Sequence, residues 1–395
     1  MRYPRPAGLL LVDAAPGRQL ATLAALEGLT RATIVGVVPL IALAQLGTKE
    51  AVSIAYVIGS ALTLVVTLNL ARLEHHVPRR WILTGGLVGF VVAAALFAFG
   101  PAWSVPVAIG LTAAQASIFS VCLSLYIMEY IGKRELTGTE STRLLYLGVV
   151  WLIGPALGTW IWSAIGRGAP FVFSMVLAVI AVSFHWYLRL EANPVLLYPN
   201  QPVMSPIRAI PRFFGQRNLR VAYAITCIRS IFWASLFVYG PLYVVEAGLP
   251  EWTAGVFLSS ASGVLFLSPA VRRIADEHGV RWVVQRAFAL MALCLLALTV
   301  IGEARPIGVV FWLLGAVGGG TIDVLGNIPF MRMVKPRERG DMAGVFATWR
   351  EVSFLIAPAL AALVLAVGPF RVLYLVLAVI MGLGVIATTF LPRRL

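Results

Sequence analysis

A few charged side chains lie inside long apolar runs of this sequence, where they need a chemical reason to be present. Glu27 and Arg31 are one helical turn apart, Arg229 is alone in its run, and Asp323 follows a cluster of glycines. Placing a charge in a bilayer costs roughly 2.5 to 3.5 kcal/mol on insertion scales, so each of these side chains should have a partner or a function. Glu351, in a later run, is a further candidate.

The buried carboxylates are candidates for binding protons. A carboxylate removed from water holds a proton more tightly, and an adjacent arginine weakens that hold. A substrate and a proton can therefore compete for one partner, which is the simplest form of proton coupling. We predict Glu27 and Asp323 as the first proton-coupling sites, followed by Glu351. The alternative is that Glu27 with Arg31, and Asp323 with Arg229, are structural ion pairs that never titrate.

The arginines Arg31 and Arg229 are candidates for substrate binding, because a guanidinium binds a carboxylate or a phosphate through two parallel hydrogen bonds. Trp233 lies one turn after Arg229, where its ring is placed to stack on the guanidinium. Gln115 and Asn327 complete the predicted binding set. Metal-ligand spacing, a phosphate-binding loop and a nucleophile motif are all lacking, so we expect neither an enzyme nor a metal or cofactor.

The composition places these residues in a membrane protein. Of the 395 residues 60% are hydrophobic and 12% are charged, and the mean hydropathy is +0.90, far from the usage of soluble domains. Twelve apolar runs are long enough to span a bilayer as helices. These runs are residues 20–46, 50–71, 81–100, 104–131, 143–164, 169–189, 219–245, 252–271, 282–302, 306–331, 342–367 and 370–391.

The positive charges fall almost entirely on one side of the predicted membrane. With the N-terminus in the cytoplasm, 24 of the 31 Lys and Arg residues lie in cytoplasmic segments and four in the opposite loops. This bias predicts that both termini are cytoplasmic, and it explains the net charge of +14 without a nucleic-acid partner. We expect a multi-pass protein of the bacterial inner membrane, with no cleavable signal and with lipids as its surroundings.

The sequence contains an internal repeat. Arg134-Glu135 and the segment LIGPAL (152–157) recur 203 positions later as Arg337-Glu338 and LIAPAL (355–360). The proline-rich stretch 191–218 lies between the copies and predicts a cytoplasmic linker. We therefore expect an all-α membrane protein of two pseudo-symmetric six-helix bundles, residues 1–190 and 219–395, that move against each other.

Two loops carry the first resemblance to a known family. The loop after the eighth run holds Asp276, Gly279 and Arg281, and the matching loop after the second run keeps Arg79 and Arg80. This pattern resembles the major facilitator superfamily, whose loops at these places carry an acid, a glycine and paired arginines. The first copy lacks the acid and the glycine. The resemblance implies a gate in which an acid at a helix end pairs with basic residues across the interface between the halves.

The fifth run carries a second resemblance. Gly154, Pro155 and Gly158 look like the G-P-x-x-G core of proton antiporters of this superfamily, where the element is thought to bias conformational exchange. The alternative is a packing seam of small residues without a role in exchange. The resemblance implies a monomer, and it is closest to proton-coupled drug or metabolite antiporters. It also implies that Arg31 and Arg229 face a central cavity from opposite halves, as in organic-phosphate antiporters.

Together these patterns predict a secondary transporter that moves a small organic solute by alternating access, with proton-coupled efflux as the first hypothesis. The first alternative is exchange or symport of an organic anion on Arg31 and Arg229. The second is a lysolipid or lipid translocator, for which the aromatic residues are the only indication. The third is a membrane scaffold or receptor that transports nothing. The predicted partners are a small-molecule substrate, protons and membrane lipids.

Overall fold

A computed structural model describes residues 16–131, 136–190, 206–325, 334, 342, 345–346 and 348–391. All the regular elements in these ranges are helices. The first seven are α1 Pro16–Val35, α2 Val38–Leu46, α3 Lys49–His76, α4 Arg79–Phe99, α5 Val105–Tyr130, α6 Leu136–Ala164 and α7 Ala169–Tyr187. The remainder are α8 Pro206–Gly215, α9 Arg217–Glu246, α10 Trp252–Gly263, α11 Ser268–His278, α12 Val280–Ile301, α13 Pro306–Leu325, α14 Trp349–Val367 and α15 Phe370–Thr389. Short 3-10 turns at Ala102–Ser104 and Val264–Leu267 precede α5 and α11.

The membrane-spanning character of the chain is confirmed. By length and composition, the described residues include 11 spans, or 12 when the bent pair α10 and α11 counts as one. That pair bends by 41°. The helices α1 and α2 form a single span that breaks beside Pro39, because proline supplies no amide hydrogen to the helix.

The chain divides into two compact units. The first contains Met1–Thr48 and Ala55–Asn200, and the second contains Lys49–Ile54 and Gln201–Leu395. The division near residue 200 falls within the stretch 191–218 that the sequence predicted as a linker.

In the first unit α6 packs closely along α1. The reason is that two glycines of α6 face this helix: a β-carbon on Gly154 would overlap Ala32, and one on Gly158 would overlap the backbone oxygen of Thr33. The helix α7 also contacts α1, because the Ser174 hydroxyl donates to the Thr30 carbonyl at 2.9 Å. The helix that carries Glu27 is therefore held by both neighbours.

In the second unit the glycines of α13 let three neighbours approach its backbone. Gly315 meets the ring of Phe232, Gly319 meets the indole of Trp233, and Gly318 meets Met291 of α12. Gly320 lies against Val264. With no side chains on these positions, α13 is packed by the side chains of its neighbours, and this packing brings α9 to the helix that carries Asp323.

The helix α8 was not predicted, because the proline-rich composition of 191–218 indicated an irregular linker. Its anchor is Phe213, which is fully buried in a cluster with Leu219, Ala222 and Met342, among others. Pro206 stands in the first turn, where a proline is compatible with a helix. Residues 191–205 lie outside the described ranges.

Two predicted spans extend beyond the described residues. The tenth was predicted to reach residue 331, whereas α13 is described to Leu325, so the predicted site residue Asn327 lies outside the described residues. The eleventh was predicted from residue 342; the described residues 342, 345 and 346 are helical, and α14 runs from Trp349 to Val367. Glu351 lies in the first turn of α14. A carboxylate in a first turn is favoured by the helix dipole.

Candidate functional site

The charged residues of the first unit form one hydrogen-bonded cluster around Glu27, which is 1% exposed. Arg31 donates to both oxygens of this carboxylate, from Nε to Oε1 at 2.5 Å and from NH2 to Oε2 at 3.1 Å. Gln115 of α5 adds a bond from Nε2 to Oε1 at 3.0 Å. A buried carboxylate needs such donors, because an unpaired charge loses its hydration without compensation.

The outer surface of this cluster offers further groups for recognition. The Arg31 guanidinium carbon lies 5.8 Å from the ring centre of Trp151 on α6, and the arginine side chain is 20% exposed. The Gln115 oxygen Oε1 is buried without a hydrogen-bond partner among the described residues. A ligand that reached the exposed part of Arg31 would meet a guanidinium and the aromatic face of Trp151.

The G-P-x-x-G element positions this cluster. Gly154 and Gly158 contact α1 at Ala32 and Thr33, the residues that directly follow Arg31. The motif predicted from resemblance therefore lies against the helix that bears the charged site. Its role in conformational exchange remains a prediction, and the alternative of a packing seam is compatible with the same contacts.

The second unit contains a matching pair on two different helices. Arg229 NH1 of α9 lies 2.8 Å from Asp323 Oδ1 of α13, and the two side chains are 7% and 28% exposed. Arg229 NH2 also donates to the Ser230 hydroxyl at 3.3 Å. The carboxylate thus remains partly accessible while the guanidinium is almost completely covered.

The aromatic partner of Arg229 is not the one that the sequence suggested. Trp233 was predicted to stack on the guanidinium, but the guanidinium carbon lies 4.9 Å over the ring of Trp349 on α14. Trp233 instead stacks on Phe237 at 5.7 Å and packs against Gly319. The Trp233 indole therefore packs on the helix that carries Asp323 and not on the guanidinium.

Sequence reasoning missed Trp349 although a signal was present. In the first unit Arg31 lies over Trp151, and in the second Arg229 lies over Trp349. Both the arginines and the tryptophans are 198 positions apart (229 minus 31, and 349 minus 151). Each half therefore places an arginine of its first span over a tryptophan of its fifth.

Replacing Trp349 with leucine should lower stability by about 1 kcal/mol through the lost cation–π contact with the buried Arg229. Phenylalanine should recover part of the loss, because it keeps an aromatic face. The measurement is thermal unfolding of the purified protein in detergent. As a control, Trp282→Leu removes an exposed pair with Arg286 and should change stability by less than about 0.5 kcal/mol. Equal effects at the two positions would contradict the stacking argument.

The predicted proton site Glu351 is half-buried and two residues beyond Trp349. Its surroundings include Tyr223 of α9, whose hydroxyl is 3.0 Å from the Thr348 hydroxyl. Glu351 and Trp349, the residue that covers Arg229, therefore both lie where α14 packs against α9.

The predicted gate residues flank two turns whose backbone conformations differ. Gly279 has φ +86°, a left-handed conformation that favours glycine, and it joins α11 to α12. Arg281 donates from NH1 to the Leu391 carbonyl at 3.1 Å, and Asp276 is exposed. In the other copy Pro78 has φ −55°, so this turn has no need of glycine.

The arginines of the first copy lie against aromatic rings within their own unit. Arg79 is 2% exposed, and its guanidinium carbon is 5.2 Å from the ring of Tyr126. Arg80 lies 5.9 Å from the ring of Trp186. These contacts place both arginines at the ends of α4, α5 and α7. Gating by these residues stays a prediction.

The spans, the two compact units and the comparisons with known proteins define a multi-pass membrane transporter. The family model "Major Facilitator Superfamily" matches residues 20–271 and 256–395. The chain therefore belongs to the major facilitator superfamily, as the loop motifs indicated. The comparison with curated proteins returns no match.

Solved structures of transporters share this fold at low sequence identity. The nucleoside transporter NupG is 13% identical with a TM-score of 0.75, over 94% of this chain and 98% of that one. A POT family transporter in complex with a thioalcohol-conjugated peptide is 12% identical with a TM-score of 0.73, over 94% and 95%. A bacterial homologue of the iron transporter ferroportin, in an inward-facing state, is 15% identical with a TM-score of 0.69, over 94% and 97%. These likenesses establish the fold.

Proposed function

We propose that this secondary transporter exports a small organic solute in exchange for protons, with Glu27 and Asp323 as the groups that bind the proton. The observation that carries the proposal is the pairing of each carboxylate with an arginine inside a membrane span. The direction of transport rests on the antiporter-like element Gly154, Pro155 and Gly158, which contacts the helix bearing Glu27.

The chemistry of exchange follows from competition for a carboxylate. Asp323 is the more accessible carboxylate of the two, at 28% against 2% for the side chain of Glu27. A solute with a cationic or hydrogen-bond-donating group can bind the ionised carboxylate, and a proton on that carboxylate displaces it. One side of the membrane then loads a proton while the other loads the solute, which couples the two fluxes in opposite directions.

A second candidate is symport of an organic anion with protons, and the same ion pairs support it. Each arginine is neutralised by its own carboxylate, so protonation of Glu27 or Asp323 would release Arg31 or Arg229 to bind an anion. In this scheme the proton and the solute bind together, whereas in the first they exclude each other. The pH dependence of solute binding therefore has opposite signs in the two schemes.

The test begins with a thermal-shift screen of the purified protein over metabolites, drugs and lysolipids at two pH values. Under exchange, affinity for a hit should rise with pH, because deprotonation creates its binding group; under symport of an anion it should fall. The hit is then followed in proteoliposomes with an imposed proton gradient. A flux that ignores the gradient would disprove coupling.

Glu27→Gln is expected to retain solute exchange between equal concentrations while losing acceleration by the proton gradient. The reason is that an amide keeps the size of the carboxyl group but binds no proton. Asp323→Asn is expected to lose both, because Asp323 is also the accessible carboxylate that binds the solute. Glu303→Gln is the control, since Glu303 is 85% exposed and lies in a loop. If both variants respond to the gradient as the wild type does, the two carboxylates are structural and the coupling site is elsewhere.

A further inference from the structure

Over its second half, the helix α9 exposes only a narrow aromatic strip. All residues from Arg229 to Val244 are described, and all are buried except Trp233 and Phe237, which are half-buried. A helix that faces lipid exposes a broad apolar stripe, whereas α9 is the most buried of the described spans. The strip of Trp233 and Phe237 is therefore suited to a ligand rather than to lipid.

Trp233 and Phe237 form one continuous surface. Residues four positions apart lie on the same face of a helix, and these two rings stack with their centres 5.7 Å apart and an interplanar angle of 26°. Aromatic groups attract one another at centre separations of about 4.5 to 7 Å. The surface therefore favours a flat ring as its ligand.

The aromatic strip begins beside the carboxylate of Asp323. On α9, Trp233 is one turn from Arg229, which binds Asp323 at 2.8 Å. On α13, the Trp233 indole packs on Gly319, which is one turn from Asp323 and on the same face. The spacing on both helices places the ring and the carboxylate next to each other.

The ion pair presents its negative end to a ligand. The Arg229 side chain is 7% exposed and lies under the ring of Trp349, whereas the Asp323 side chain is 28% exposed. An approaching group meets the carboxylate first, so the pair favours a cation although its net charge is zero. An ammonium group beside Trp233 is attracted to the aromatic face as well.

We propose that the exported solute is an aromatic amine, with its ammonium group on Asp323 and its ring against Trp233 and Phe237. The inference rests on the proposed exchange, in which the solute binds ionised Asp323, and it adds the chemical class of the solute. The linker between the amine and the ring is short, because Gly319, where Trp233 packs, is only about 6 Å from Asp323 along α13.

The experiment is titration calorimetry of the full-length protein in detergent with three probes: 2-phenylethylamine, n-butylamine and 2-phenylethanol. We expect 2-phenylethylamine to bind at least about tenfold more tightly than either of the others, because n-butylamine lacks the ring and 2-phenylethanol lacks the charge. No binding of 2-phenylethylamine, or equal affinity for either of the other probes, would overturn the proposal.

Two variants assign each half of the probe to its residues. W233L/F237L should reduce the preference for 2-phenylethylamine over n-butylamine to about twofold or less, while the affinity for n-butylamine changes by less than about twofold, because only the ring contact is removed. Asp323→Asn should instead reduce the preference for the amine over the alcohol to about twofold or less, because the counter-charge is removed. The same loss of both preferences in both variants would contradict this assignment.

The matched control is F266L/W282L, which removes an exposed phenylalanine and an exposed tryptophan elsewhere in the second unit. It should keep both preferences, and a loss similar to that of W233L/F237L would refute a site on α9. The unfolding midpoint of each variant in detergent verifies that it is folded.

The binding experiment uses no proton gradient, so it separates the solute class from the coupling. If the preferences hold but flux in proteoliposomes ignores the gradient, the solute class stands and the proton exchange fails. If 3-phenylpropanoate binds more tightly than 2-phenylethylamine, the solute is an organic anion and the aromatic amine is excluded, whatever the gradient does.

Discussion

Asp323→Ala should destabilise the protein by about 3 to 5 kcal/mol and abolish transport. The guanidinium of Arg229 is nearly covered, and removal of its partner at 2.8 Å leaves a buried charge without a counter-ion. The loss should appear as a lower unfolding midpoint in detergent. Transport should fail as well, because the substitution removes a proposed proton site.

A double replacement distinguishes an uncompensated charge from lost packing. Arg229→Met with Asp323→Leu removes both charges at similar volume and should recover most of the stability, though not the transport. The exposed pair of Arg305 and Glu303, at 3.7 Å, provides the control, and Glu303→Ala should change stability by less than about 0.5 kcal/mol. A double variant no more stable than Asp323→Ala would show that the ion pair is not what holds α9 to α13.

Gly158→Leu should destabilise the first unit by about 3 kcal/mol or more and prevent transport. A β-carbon at this position already overlaps the Thr33 carbonyl, which is backbone and cannot turn aside. The helix α6 must therefore separate from α1, and the contact of Trp151 with Arg31 must change with it. Unfolding in detergent and solute flux in proteoliposomes measure the two effects.

The matched control for this position is Gly85→Leu. Gly85 is exposed in the middle of α4, and a β-carbon there has nothing within 4 Å. Leucine should raise stability by as much as about 1 kcal/mol, because glycine is a poor helix former. Gly158→Leu without a larger loss than the control would mean that the α1–α6 contact is not essential to the fold.

The spans were predictable because hydropathy is a property of the sequence alone. The pairing of Glu27 with Arg31 was equally predictable, because side chains four positions apart meet on one face of a helix. The pairing of Arg229 with Asp323 was a reasonable hypothesis because charges inside a bilayer require partners. In each case a local rule or a strong energetic penalty left few alternatives.

Other features depend on how helices rotate about their axes, which no spacing reveals. Trp233 was the expected partner of Arg229 because both lie on α9. Its indole instead packs against Gly319 of α13, and the ring of Trp349 covers the Arg229 guanidinium. The helix α8 was hidden for a different reason. Its prolines indicate irregular backbone, whereas Phe213 has a buried place to occupy only once the second unit is assembled.

The two ion pairs differ in how their distances depend on the movement of helices. Glu27 and Arg31 belong to the same turn of α1, so their distance is set by the helix and is indifferent to the motion of α1 as a whole. Arg229 and Asp323 belong to α9 and α13, so the distance between their side chains changes when those helices slide or separate. A strain between α9 and α13 would therefore break the second pair and leave the first intact, giving two carboxylates of similar chemistry unequal dependence on the conformation of the protein.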